Sequence, residues 1–144
     1  MTRSILKAMP VAAAILIGGF GAGARSDDTL YHDLGETPGI QRIIDYAIEE
    51  YVTDPRVKAQ FDNINFDWLK KRLVAQFCEL TGGPCHYPGR DMKSSHVGLH
   101  IDTAQFNAFV EDLQIAMDRA GVPFWTQNRL LAIFAPMYRD VVTR

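Results

Sequence analysis

The chain has 144 residues, 47% of them hydrophobic and 22% charged, with a formal net charge of −2. That length is about one domain, and the apolar share is ample for one core. The lack of a basic excess excludes a general nucleic-acid binder, which carries a basic stripe.

Residues 1–24 open with Arg3 and Lys7, run apolar from Met9 to Phe20, and close on Ala22-Gly23-Ala24. A basic start, an apolar centre and a small-x-small exit read as a secretory signal peptide, leaving a mature domain at 25–144. The apolar run is short and glycine-rich against the ~20 residues a spanning helix needs. An uncleaved membrane anchor is therefore the weaker reading, and no stable membrane insertion is expected after cleavage. The remaining chain holds 13 basic and 17 acidic side chains, a net −4. Export makes the protein periplasmic or secreted, where disulfides persist.

Along the mature chain every long periodic segment reads as helix. Thr37-Pro38 is a capping residue followed by a proline whose missing N–H costs nothing. Ile40, Ile43, Ile44, Ala47, Ile48, Tyr51 and Val52 then recur at spacings of three and four. Asp54-Pro55 ends that helix, and "RVKAQFDNIN" connects it to the next. Phe66 to Thr81 forms the second, with Phe66, Leu69, Leu73, Phe77 and Leu80 on one face and "LKKR" on its wet side. Gly82-Gly83-Pro84 stops it. A loop follows to Arg90, and a short helical piece spans Met92–Val97. Asp102 with Gln105 makes a variant capping box. It opens a helix with Phe106, Phe109, Val110, Leu113, Ala116, Met117 and Ala120 as its apolar stripe, ended by Gly121. Pro123 opens the last helix, whose inner face is Leu130, Ile133, Phe134, Met137, Tyr138 and Val141, and Pro136 predicts a kink. No segment alternates like a strand, so the class is all-α with four principal helices.

Cys78 and Cys85, seven positions apart, bracket "ELTGGP". In an exported chain they read as one disulfide that staples a helix end to its turn. A metal or redox pair is weaker, because the spacing is not C-x-x-C and no other cysteine exists. The chemistry left over is sparse. G-x-S-x-G and H-E-x-x-H are absent, and Gly82-Gly83 precedes no Lys-Ser/Thr, so a hydrolase elbow, a zincin and a phosphate loop lack support. Carboxylate pairs such as Glu49-Glu50 and Glu111-Asp112 read as solvated faces. His32 and His86 read as surface groups. His96 lies between two apolar helices and is the candidate ligand, although a lone histidine is more often structural. His100, four residues on, competes with it.

The stretch "FCELTGGPCHYPGRDMKSSHVGLHI" resembles the core signature of group 1 truncated haemoglobins. Phe77, Gly82-Gly83-Pro84, Tyr87, Gly89, Met92-Lys93, His96, Gly98 and Ile101 stand in the family's order. "LYHDLGETPGI" resembles its opening, with Glu36 replacing a second glycine. "DPRV" with Phe61, "RAGVP" and "IFAPMYRDVV" extend the resemblance over about residues 30–142. The resemblance implies a 2-on-2 globin fold around one haem b per chain, with His96 as the proximal iron ligand. It implies that Phe61, Leu69, Leu73, Phe77, Tyr87, Met92, Ile101, Phe106 and Ile48 surround the haem. His100 reads either as a surface residue or as a neighbour of the haem propionates, and Arg90 and Lys93 are candidate propionate partners on the same terms. No C-x-x-C-H is present, so thioether attachment is not expected.

One departure stands out. Where the family places a Tyr and often a Gln opposite the proximal histidine, this chain has Ile48, Leu69 and Leu73. None can donate a hydrogen bond. Tyr51 is one turn from Ile48 and could lean in, whereas Tyr46 points elsewhere. O₂ without a donor forfeits a charge-assisted bond worth ~1.5–3 kcal/mol, roughly a tenfold to hundredfold weaker hold. NO and CO lose less. The resemblance thus implies reversible binding of a diatomic gas, with a reductase as a further partner. The alternatives are an NO dioxygenase or peroxidase-like haem enzyme, and a haem-free helical module that keeps the fold.

Overall fold

The computed structural model describes residues 29–144, so the signal-peptide reading of residues 1–24 lies outside the described residues. Seven α-helices follow one another: α1 Thr29–Asp33, α2 Glu36–Thr53, α3 Phe66–Leu80, α4 Met92–His96, α5 Thr103–Arg119, α6 Phe124–Phe134 and α7 Tyr138–Val141. Short 3₁₀ turns at Lys58–Phe61 and Ala135–Met137 complete them, and no strand occurs among the described residues. The all-α expectation holds. The four principal helices are α2, α3, α5 and the α6–α7 pair.

The core forms because α2 buries one broad face. Ile40, Ile43, Ile44 and Ala47 are at most 1% exposed, and they pack with Val74, Phe77 and Cys78 of α3, Ala116 and Met117 of α5 and Leu130 of α6. Each large apolar side chain so buried contributes about 1.5–3 kcal/mol. The alanines at 108 and 116 on α5 are fully buried and let the backbones of α2 and α5 approach. Arg119 fastens the same pair at the surface. Its guanidinium lies 4.2 Å over the Tyr46 ring and donates to Glu49 at 2.6 Å.

Several helix ends match the sequence expectations and two do not. Asn65 caps α3 by accepting from Trp68 N at 2.9 Å. Asp102 and Gln105 form a complete capping box at α5. Thr37, by contrast, does not cap α2. The helix already starts at Glu36, after Gly35 in the left-handed region at φ 82°. The Tyr31 hydroxyl accepts from Thr37 N at 3.2 Å and shares a proton with Thr37 Oγ1 at 2.9 Å. Glu36 has φ 58°, a conformation that favours glycine, the residue the resemblance leads one to expect there. Pro136 does more than kink the last helix. It ends α6 at Phe134 and inserts a 3₁₀ turn before α7, because its ring and missing N–H disrupt the ladder. Tyr138, expected on the inner face, is 37% exposed. Its hydroxyl shares a proton with Thr103 Oγ1 at 2.7 Å.

A further correction concerns Asp112, expected on a solvated face but only 3% exposed. Position 112 falls on the side of α5 that packs on the end of α2, and Asp112 Oδ2 is buried without a hydrogen-bond partner. Burial, with the nearby Asp54 carboxylate second, pushes its carboxyl up to about 6. Arg56 approaches to 3.9 Å but is committed to Asp54 and Glu111. A raised carboxyl binds more protons folded than unfolded. Stability from this group is therefore lowest above pH 6 and recovers as pH falls toward 4. Asp112→Asn is expected to be more stable than the parent by about 1–2 kcal/mol at pH 7.5, with the gap closing near pH 4. Urea denaturation at both pH values measures it. An unchanged or lowered midpoint at pH 7.5 would show that Arg56 compensates the buried charge.

Candidate functional site

The Cys78 and Cys85 sulfurs are bonded, with Cα atoms 5.7 Å apart. Cys78 is fully buried in α3, so the bridge ties the loop after α3 to the core. Gly83 fits there because a Cβ would come within 2.6 Å of the Cys78 sulfur and of Tyr31. Thr81, 1% exposed, donates its hydroxyl to the Phe77 carbonyl at 2.7 Å, and its own carbonyl takes Tyr31 N. The loop therefore leaves α3 from a buried, bridged base, and eleven residues, 81–91, separate α3 from α4.

α4 is a single short turn carrying His96. Asp91 caps it by accepting from Ser94 N and Ser94 Oγ, both at 2.8 Å. These bonds hold the Asp91 carboxyl below the usual carboxylate range. His96 is half-buried, and its Nδ1 lies 2.7 Å from the Met92 carbonyl oxygen. A carbonyl only accepts, so Nδ1 carries a proton, and in the neutral ring Nε2 then keeps its lone pair. His100 is exposed, in the left-handed region at φ 53°, on the turn to α5.

α4 packs on α7, and α3 packs on α2, but α3 and α4 are not closely packed on one another. They are linked where Gln76 Nε2 donates to Met92 Sδ at 3.4 Å. On the α3 side Leu69 and Leu73 are half-buried and Phe77 is 6% exposed, and Ile48 of α2 is 6% exposed. Phe77 meets Phe134 of α6 with centroids 4.7 Å apart. Phe106 of α5, half-buried, stands edge-on to Tyr138 at 5.2 Å. Ile101, 2% exposed, is held under the C-terminal tail, its carbonyl accepting from Thr143 N at 2.9 Å. Tyr87 folds over its own loop: a Cβ at Gly89 would lie 2.0 Å from the Tyr87 ring.

Phe61 stacks on Tyr51 at 5.3 Å with planes 4° apart, and Phe109 meets both edge-on. Burial, with Asp112 second, raises the Tyr51 hydroxyl well above its usual range. It is a neutral phenol at any physiological pH, committed to this aromatic cluster. Arg90 and Lys93 are exposed.

Two polar side chains of α3 escaped the sequence reading. Arg72, assigned to the wet side, is half-buried; it lies 5.2 Å over the Trp68 ring, and its Nη1 is buried with no partner. Gln76 is 7% exposed on a face otherwise read as apolar. Helical period assigns Arg72 to the polar stripe and sets Gln76 on the apolar face, so only the fold shows that both are covered. The donor set fits haem. It offers one imidazole with a ring nitrogen not bonded to the protein, apolar side chains of α2, α3 and α5, and a buried guanidinium N–H that lacks an anion.

A sequence profile of the family described as "Bacterial-like globin" matches residues 29–143. The chain belongs to the bacterial-like globin family. Among relatives of this globin is a group 1 truncated haemoglobin of Tetrahymena pyriformis, 30% identical over 114 residues, 79% of this chain and 94% of the relative. Another is the group 1 truncated haemoglobin GlbN of Mycolicibacterium paratuberculosis, 27% identical over 115 residues, 80% of this chain and 85% of the relative. A crystal structure of a mutant of truncated haemoglobin from T. pyriformis, in its Fe(III) form, superposes with a TM-score of 0.78 at 26% identity. It covers 81% of this chain and 99% of that one. The 2/2 haemoglobin of Synechococcus, at 21% identity and a TM-score of 0.74, shares the fold. This globin is thus a group 1 truncated haemoglobin with the 2-on-2 fold, and haem is its cofactor.

Proposed function

We propose that this truncated haemoglobin holds haem b through Nε2 of His96 and reversibly binds a diatomic gas over an apolar distal face. That face is formed by Ile48, Leu69 and Leu73, and it suits NO or CO better than storage of O₂. The observation that carries the reading is the bond between His96 Nδ1 and the Met92 carbonyl at 2.7 Å. It selects the tautomer whose other nitrogen is free and aims that nitrogen away from the α4 backbone. Bonding the second ring nitrogen to a backbone carbonyl also raises the basicity of the ligating one. Haem, when bound, supplies an iron with a coordination position open to the gas. The protein's own part is to hold the imidazole, exclude water with leucine and isoleucine, and balance a propionate with Arg72. Phe61, Phe77, Tyr87, Met92, Ile101 and Phe106 complete the surroundings of the haem in this proposal. Tyr51 stacks on Phe61, itself one of the residues around the haem, and is not counted in the distal face in this reading.

Stopped-flow O₂ dissociation tests the distal part. The parent is expected to release O₂ quickly, and Leu69→Gln, which restores a donor, to slow release by about tenfold to a hundredfold. A parent that releases O₂ slowly, with no change in Leu69→Gln, would reject it. An NO dioxygenase or peroxidase-like reading draws no support from this face, since none of its three side chains transfers a proton. We infer further that residues 1–24 are removed on export and that a reductase maintains the ferrous iron. The Cys78–Cys85 bond supports an oxidising compartment. Mass spectrometry of the exported protein should find its N-terminus near Arg25.

A further inference from the structure

We propose that Gln76 of α3 is a positioning residue for the proximal histidine, acting through Met92 of α4. Gln76 is 7% exposed, among leucines and a phenylalanine on its face of α3. A buried amide there is costly unless it is bonded. It donates to a thioether sulfur, a weak acceptor. An apolar residue would fill the place at less cost, so the structural effect of the amide lies in what it reaches.

It reaches the residue that orients His96. Met92 takes the Gln76 amide on its sulfur at 3.4 Å, and its carbonyl takes the His96 Nδ1 proton at 2.7 Å. α4 has five residues, too few to persist on backbone bonds alone. Its other hydrogen-bonded anchors come from its own flank: the Asp91 cap, and Ser95 Oγ donating to the Arg90 carbonyl at 3.3 Å. α7 packs on it from one side. Among the described residues, Gln76 is the side chain of α3 that bonds to α4. Loss of that tie lets the Met92 end of α4 fray, and the His96–Met92 bond weakens with it. The imidazole then ligates less firmly and with poorer orientation. The distal helix thus sets the strength of the proximal bond.

The inference rests on His96 being the iron ligand, and the test separates the two. Gln76→Leu, Met92→Leu and the double variant are prepared as haem-loaded full-length protein. Both apolar substitutions keep volume, and thermal unfolding checks the fold. The readouts are the ferrous iron–histidine stretch by resonance Raman and the rate of haem loss to an excess of a haem acceptor. Each single variant is expected to shift the iron–histidine band and to lose haem about fivefold faster. The double variant should be no worse than either single one, because both break the same contact. An unmoved band in Gln76→Leu, or additive effects in the double variant, overturns the proposal. So does a shift in the stretch of bound CO with the iron–histidine band unchanged, which would place the amide on the gas instead. Retention of the iron–histidine band in His96→Ala overturns the ligand assignment itself, and this inference with it.

Discussion

His96→Ala is expected to leave the protein folded and colourless. His96 is half-buried at the last position of a five-residue helix, so truncation opens no core cavity and far-ultraviolet circular dichroism should not change. The loss falls on the cofactor. Removing even an outer partner of a ligating histidine lowers metal affinity by about 10–100-fold, so removing the ligand should cost at least about a hundredfold. A titration with haem measures this as loss of a sharp Soret band. Added imidazole should restore part of it by filling the space left behind. His100→Ala is the matched control. It sits four residues on, exposed on a turn with φ 53°, and should keep full haem content. A colourless His100→Ala beside a red His96→Ala would reverse the assignment.

The second large effect is expected on breaking Cys78–Cys85. Closing so short a loop is worth about 2–3 kcal/mol in chain entropy. For a domain of this size that is roughly an 8–15 °C fall in Tm. Reduction of the intact chain is the cleaner experiment, because Cys78 is fully buried and a serine there would bury an unpaired hydroxyl. The Cys78→Ala/Cys85→Ala variant supports it without that complication. The bridge anchors the loop that leads to α4, so haem loss should also quicken in the reduced protein. If reduction leaves both Tm and haem loss unchanged, the contacts of Thr81 with Tyr31 and Phe77 hold the loop base alone.

The sequence by itself determined the elements whose causes are local. The apolar spacing of α2, the Asp102–Gln105 capping box, the Gly82-Gly83-Pro84 stop and the short turn at Met92 all follow from neighbours a few residues apart. The pairing of the cysteines and the family signature around His96 belong here too. Tertiary structure decided whatever depends on which surface is covered. Arg72 and Asp112 carry charge in polar stripes, yet one guanidinium nitrogen and one carboxylate oxygen lost their water when helices closed over them. Tyr51 sits on the expected apolar face but is claimed by Phe61 and Phe109, residues 10 and 58 positions away. Gln76 meets Met92 only because α3 and α4 come together at that point. Propensity and period act along the chain, whereas desolvation and contact act between segments distant in it. Burial is therefore invisible to any short window of sequence, and the polar groups under most strain are found only in the folded molecule.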